Sequence, residues 1–76
     1  MTNTESDNLH NALSKQQFSE HDIKVILAIL EGEGTYNQSD IIDYSYRNKH
    51  TLKKLGWLRK VKKAIKDAKL HINPNI

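Results

Sequence analysis

Apolar residues in this chain gather in three places, and each group predicts a helix. Ile23, Ile26, Leu27, Ile29 and Leu30 recur at the three- and four-residue spacing of one helical face. Ser19 can accept a hydrogen bond from the first turn, Asp22 stands at the third helical position, and Phe18 lies opposite Ile23. This is an acidic form of the capping box with a hydrophobic staple. A competing start lies five residues earlier, where Ser14 would cap, Gln17 would reciprocate and Leu13 would staple to Phe18. The run from Val25 to Leu30 is rich in β-branched residues, which also suit a strand. The caps and the length favour a helix over about 19–31. Glu31-Gly32-Glu33-Gly34 ends it, because glycine takes the left-handed conformation that a helix C-terminus needs.

Thr35-Tyr36 could form a very short extended segment, and the same start device then repeats. Asn37 caps, Asp40 takes the third position, and Tyr36 staples to Ile41. The expected helix carries Ile41, Ile42 and Tyr44 inward and ends near Tyr44 or Ser45. A polar turn follows over residues 45–50, with Asn48 as the next N-cap. The third apolar group lies in an expected helix over about 48–69. Trp57, Leu58, Val61, Ala64, Ile65 and Ala68 share one face of it, within about 120° of one another. Leu52 and Leu55 fall off that face. Gly56 lies between the two sets and costs a helix about 1 kcal/mol relative to alanine, which favours a break or kink there. Leu70-His71-Ile72 could extend briefly before Asn73-Pro74 ends regular structure.

Residues 1–12 are rich in Thr, Asn, Ser and Asp and show no apolar period. They read as a flexible polar tail. Residues 13–72 read as one helical domain and 73–76 as its C-terminal end. The expected fold is therefore all-α or mainly α, with three or four helices. Its expected core is Ile26, Ile29, Leu30, Ile41, Leu52, Leu55, Leu58, Val61 and Ile65.

Composition narrows the means of stabilisation. A chain of 76 residues without cysteine must rest on a compact apolar core, which self-association as a homodimer could enlarge, because no disulfide can staple it. The first eleven residues hold no apolar stretch, so no secretory leader is expected. The longest apolar run, from Val25 to Leu30, is far too short to span a bilayer. A cytoplasmic protein with no membrane partner is the expectation.

Charge changes the picture most. Residues 1–44 hold Lys15 and Lys24 against eight carboxylates, a net of −6. Residues 45–76 hold ten lysines and arginines against Asp67 alone, a net of +9. Such asymmetry points one end of the molecule at nucleic acid or an acidic surface. A solvated lysine-rich helix is the plainer alternative. Self-repulsion among nine net charges favours a compensating partner.

Where short helix, polar turn and basic helix meet, residues 25–58 resemble helix-turn-helix DNA-binding domains of the winged-helix kind with the wing reduced or absent. Asn37-Gln38-Ser39-Asp40-Ile41 looks like the start of the supporting helix. Thr51-Leu52-Lys53-Lys54-Leu55 looks like the recognition helix, with Leu52 and Leu55 at its two buried positions. The turn Ser45-Tyr46-Arg47 lacks the glycine usual in that family, and Ile42 stands where a small residue is usual. The resemblance implies that the second helix enters the major groove. Asn48, Lys49, His50 and Lys53 would then face base edges or phosphates, with Arg47 and Lys54 beside them.

The spacing of the remaining cations adds to this independently. Arg59, Lys62, Lys63 and Lys66 project from the side opposite the Trp57–Ala68 stripe, with Lys60 and Lys69 flanking it. Cations at that spacing can follow a phosphate backbone, with the energy drawn from counterion release. The expected function is a small DNA-binding protein, by resemblance a transcriptional regulator of bacterial, phage or plasmid type, whose partner is double-stranded DNA. The alternative is an inhibitor or adaptor docking on a larger protein machine, with its acidic N-terminal half as one contact. No enzyme is expected: the carboxylates Glu31 and Glu33 lie in a glycine-rich linker, and no Ser-His-Asp set stands out. His10, His21, His50 and His71 share no metal-ligand spacing. No cofactor or metal is expected.

Overall fold

A computed structural model describes residues 1–31, 34–47 and 54–75, with Lys54 and Leu55 described as backbone only. Among them run four helices and two short strands: α1 (Asn3–Lys15), α2 (Glu20–Leu30), β1 (Thr35–Asn37), α3 (Gln38–Arg47), α4 (Lys54–Asp67) and β2 (Asn73–Asn75). The mainly helical expectation is met. The tail is not: residues 3–15 are a helix.

Local chemistry explains that helix. The Thr2 hydroxyl accepts from the Glu5 backbone N–H at 3.2 Å, and the Glu5 carboxylate accepts from the Thr2 N–H at 2.9 Å. This is a full capping box, and it satisfies two N–H groups that a helix start leaves open. Leu9, Ala12 and Leu13, at i, i+3 and i+4, are the three residues that α1 buries. So sparse a stripe is invisible to a periodicity count, yet it is enough once α2 and α4 lie against it.

The end of α1 shows which of the two competing starts is used. The Gln17 and Phe18 N–H groups bond back to the Ser14 and Leu13 carbonyls at 3.0 and 3.5 Å. This closes the helix in a Schellman motif, with Leu13 and Phe18 as its apolar pair. Ser14 is thus spent inside α1. Ser19 caps α2 instead and accepts from the Asp22 N–H at 3.2 Å. Helix α4 ends in the same way, with Lys69 and Leu70 bonding back to Lys66 and Ile65 at 3.0 and 3.2 Å.

Both motifs need a left-handed residue, and neither uses glycine: φ is +69° at Gln17 and +57° at Lys69. An L side chain in that conformation costs about 1–2 kcal/mol. Gln17→Gly is therefore expected to raise stability by about 0.5–1 kcal/mol despite its greater chain entropy. Urea denaturation measures this directly, and a clear loss would mean that the Gln17 side chain makes compensating contacts.

The chain between α2 and α3 does more than turn. β1 pairs in parallel with β2, in the register Thr35↔Asn73, Tyr36↔Pro74 and Asn37↔Asn75. Gly34, at φ +77°, accepts from the Asn73 N–H at 2.8 Å just before the pairing starts. The expectation that Asn73-Pro74 ends regular structure is thus corrected, since Pro74 sits in the strand. Proline is tolerated because both strands are edges. Helix α3 starts directly after Asn37, as the capping pattern predicts, and runs to Arg47, beyond the expected end. Helix α4 is described from Lys54, with Gly56 in its first turn, and the expected earlier part of that helix, residues 48–53, lies outside the described residues. Leu52 and the side chain of Leu55, both in the expected core, lie outside the described residues.

Helix α4 lies against both α1 and α3, while α1 also lies against α2. Trp57 sits at the centre, 1 % exposed. Its ring meets Phe18 edge-on at 4.9 Å between centroids and Tyr44 at 5.6 Å. Leu9, Leu13, Ile23, Ile26, Leu30, Ile41 and Val61 are the other large side chains fully buried among the described residues. Of the expected core, Ile26, Leu30, Ile41, Val61 and Ile65 are buried, whereas Ile29 and Leu58 are only half-buried. Tyr44 donates its hydroxyl to the buried Asp22 carboxylate at 3.0 Å. That bond ties α3 to the first turn of α2.

Candidate nucleic-acid interface

The buried stripe of α4 decides which cations face water. Trp57, Val61, Ala64 and Ile65 turn inward. At about 100° per residue the opposite side carries Arg59, Lys62, Lys63 and Lys66, and all four are exposed. They are spread over about 10 Å of helix axis. Among the described residues none of the four takes part in an ion pair, and His10–Glu20 is the pair found there. The result is a one-sign face on a rigid element. Its position is set by core packing and not by the cations themselves.

The flanking cations differ. Lys60 reaches back across the core edge, and its ammonium donates to the Gln16 carbonyl at 3.4 Å. It thereby meets the negative end of the α1 dipole, where a cation is favourable. Lys69 follows α4 in the left-handed cap and is exposed. Arg47, in the last turn of α3, is also exposed. Asn48, Lys49, His50 and Lys53 lie outside the described residues, as does the side chain of Lys54. The structure therefore brings Arg59, Lys62, Lys63 and Lys66 onto one face and places Arg47 on a neighbouring helix.

The acidic half is divided in use. Asp22 is buried and bonded to Tyr44. Burial raises the pKa of Tyr44, and the bond to Asp22 raises it further. Burial alone raises that of Tyr36. Asp40 and Asp43 are exposed on α3. With Val25, Ile29, Tyr44 and Arg47 they line a cleft of about 240 Å³ between α2 and α3. Tyr46 is half-exposed on the same helix. Among the described residues no three His, Cys, Asp or Glu side chains converge as a metal site would require, and no helix is long and apolar enough to cross a membrane.

One titrating contact joins helices. The His10 Nε2 lies 2.9 Å from the Glu20 carboxylate, linking α1 to α2. The hydrogen bond to Glu20 raises the His10 pKa above its usual 6.5 against a smaller opposing effect of burial. The sign follows directly: the pair adds stability below about pH 6.5 and loses it as pH rises through the folded value. The gain is small because both groups are exposed. In an NMR titration His10 is expected to titrate above 6.5 and to return toward it in Glu20→Gln. An unchanged midpoint in that variant would show that the contact is absent in solution.

What the sequence did not announce is the neighbourhood of this face. Tyr36, Leu70, Ile72 and Pro74 come beside Lys62 and Lys66 to line a groove. Only the pairing of β1 with β2, nearly forty residues apart in the chain, brings them there. No protein-family model, curated protein or solved structure matches the chain.

Proposed function

We propose that the protein binds double-stranded DNA through the outward face of α4 and acts as a small transcriptional regulator. One observation carries this proposal: Arg59, Lys62, Lys63 and Lys66 are exposed together on a single helix and, among the described residues, meet no carboxylate. Such a face attracts phosphates and gains affinity from counterion release. The succession of α3 and α4, lying against each other, is what a helix-turn-helix arrangement requires. In that arrangement the start of the second helix would read bases, and Asn48, Lys49, His50 and Lys53 are its candidates from the sequence. The molecule measures 31 Å in its longest dimension, close to one turn of duplex at about 34–36 Å. Two half-sites would therefore call for a homodimer.

The test is a fluorescence-anisotropy titration with random-sequence duplex at low ionic strength. Binding is expected, and it should weaken steeply as salt rises. Folded protein with no salt-dependent DNA affinity would sink the proposal. The second reading, an inhibitor or adaptor docking on a protein, is favoured by the cleft between α2 and α3. There Val25 and Ile29 lie beside the exposed carboxylates of Asp40 and Asp43, which suits a basic, apolar-anchored partner segment.

A further inference from the structure

Beside the cationic face runs a groove of different chemistry. It is an open depression of about 300 Å³ between the C-terminal half of α4 and the segment that leads into β2. Ile65, Leu70, Ile72 and Pro74 make its wall aliphatic, and the Tyr36 ring closes one side. Lys62 and Lys66, both exposed and one turn apart on α4, complete the lining at its rim. Tyr36 is 3 % exposed, and its hydroxyl has no hydrogen-bond partner among the described residues. The groove thus combines an apolar wall, two exposed cations one turn apart and one buried polar atom that no described group satisfies.

We infer that this groove binds a small aliphatic carboxylate, with the chain laid on the aliphatic wall and the carboxylate held between the Lys62 and Lys66 ammonium groups. The cations fix the sign of the ligand, since two ammoniums at such a site favour an anion and form charge-assisted hydrogen bonds with it. The wall fixes its body. Apart from the Tyr36 ring on one side the wall is aliphatic, and the volume lies at the small end of about 300–1,000 Å³ for small-molecule sites. A single short chain fits that space, whereas a peptide helix needs a longer trough. A lipid surface suits the site less well. Among the described residues the exposed large apolar side chains are Met1 and Tyr46, so α4 has nothing beside the groove to insert into a bilayer.

Lys62 and Lys66 also belong to the face proposed to hold DNA. Resting on that proposal, an occupied groove neutralises two phosphate-binding cations, so carboxylate and DNA oppose each other. By thermodynamic linkage each lowers the affinity of the other by the same factor. The protein would then be a ligand-responsive DNA binder.

The test uses decanoate, kept below micelle-forming concentration, added to isotopically labelled full-length protein and followed by NMR. Saturable shifts are expected around Tyr36, Lys62, Ile65, Lys66, Leu70 and Ile72. Decanol, which lacks the charge, and acetate, which lacks the chain, should each bind at least about ten-fold more weakly, the factor expected for one lost charge-assisted contact or most of the apolar contact. A Lys62→Ala/Lys66→Ala double variant should lose decanoate by a similar factor while keeping its fold, because both side chains are exposed. Ile72→Gln, at a half-buried position, should weaken decanoate and decanol alike. Equal binding of decanol and decanoate, shifts centred elsewhere, no saturation, or an unaffected double variant would each overturn the assignment. Added decanoate should also raise the protein concentration needed to bind duplex. If decanoate saturates the groove but the free protein binds no DNA, the DNA proposal falls and the groove stands. If the protein binds DNA but takes up no decanoate, the groove falls alone.

Discussion

Deleting residues 1–15 is expected to unfold the protein. The deletion removes Leu9, Ala12 and Leu13, all buried, from the thirteen apolar residues buried among the described residues. Loss of one buried leucine side chain typically costs about 2–5 kcal/mol. A domain of this size has at most about 5–10 kcal/mol in total. The damage also spreads. Leu13 anchors the Schellman motif that positions Phe18, and Phe18 stacks edge-on against Trp57. Gln16 stays in the deleted chain, but without α1 its carbonyl no longer stands at a helix end that meets Lys60. Circular dichroism and thermal melting check this. The deleted chain should show no cooperative transition, and Leu13→Ala should lower the midpoint sharply. If the deleted chain melts cooperatively within a few degrees of the full chain, α1 is dispensable and residues 1–12 are the tail that their composition suggests.

Replacing Arg59, Lys62, Lys63 and Lys66 together by alanine is expected to remove most DNA affinity. Each cation that neutralises a phosphate contributes about 0.9 to the slope of log affinity against log salt. The fourfold variant should therefore flatten the slope by about three to four units if all four make contact. Lys63→Ala alone should flatten it by about one unit and weaken binding to every duplex alike. All four side chains are exposed, so the fold should survive, and an unchanged melting curve verifies it. Asn48→Ala and Lys53→Ala should behave differently if the start of the second helix reads bases. Affinity for a preferred site should fall by about 1–3 kcal/mol while random duplex is little affected. An unchanged salt slope in the fourfold variant would remove α4 as the phosphate contact.

The deletion and the charge variant probe opposite sides of one constraint. Helix α4 has a single buried stripe, and burying Trp57, Val61 and Ala64 leaves Arg59, Lys63 and Lys66 nowhere to go but outward. Stability and candidate function are thereby coupled through the rotation of α4. A core change that turned this helix would redirect the cationic face without touching one lysine.

Much of this was legible in the chain itself. The capping patterns at Ser19 and Asn37 anticipated the starts of α2 and α3, because a side-chain oxygen beside free N–H groups acts over only three residues. The Trp57–Ala68 stripe predicted both the buried and the cationic side of α4, because a helix imposes its period on every residue in it. Charge asymmetry was plain for the same reason: it requires no knowledge of the fold. Tertiary structure alone decided the rest. Leu9 and Leu13 look too few to hold a helix until α2 and α4 supply the surface that buries them, so a composition count makes a tail of α1. The pairing of Tyr36 with Pro74, and the groove it forms with Lys62 and Lys66, joins residues too far apart for any local period to connect. Contacts of that kind depend on how far the chain must travel to return, and only the assembled core brings it back.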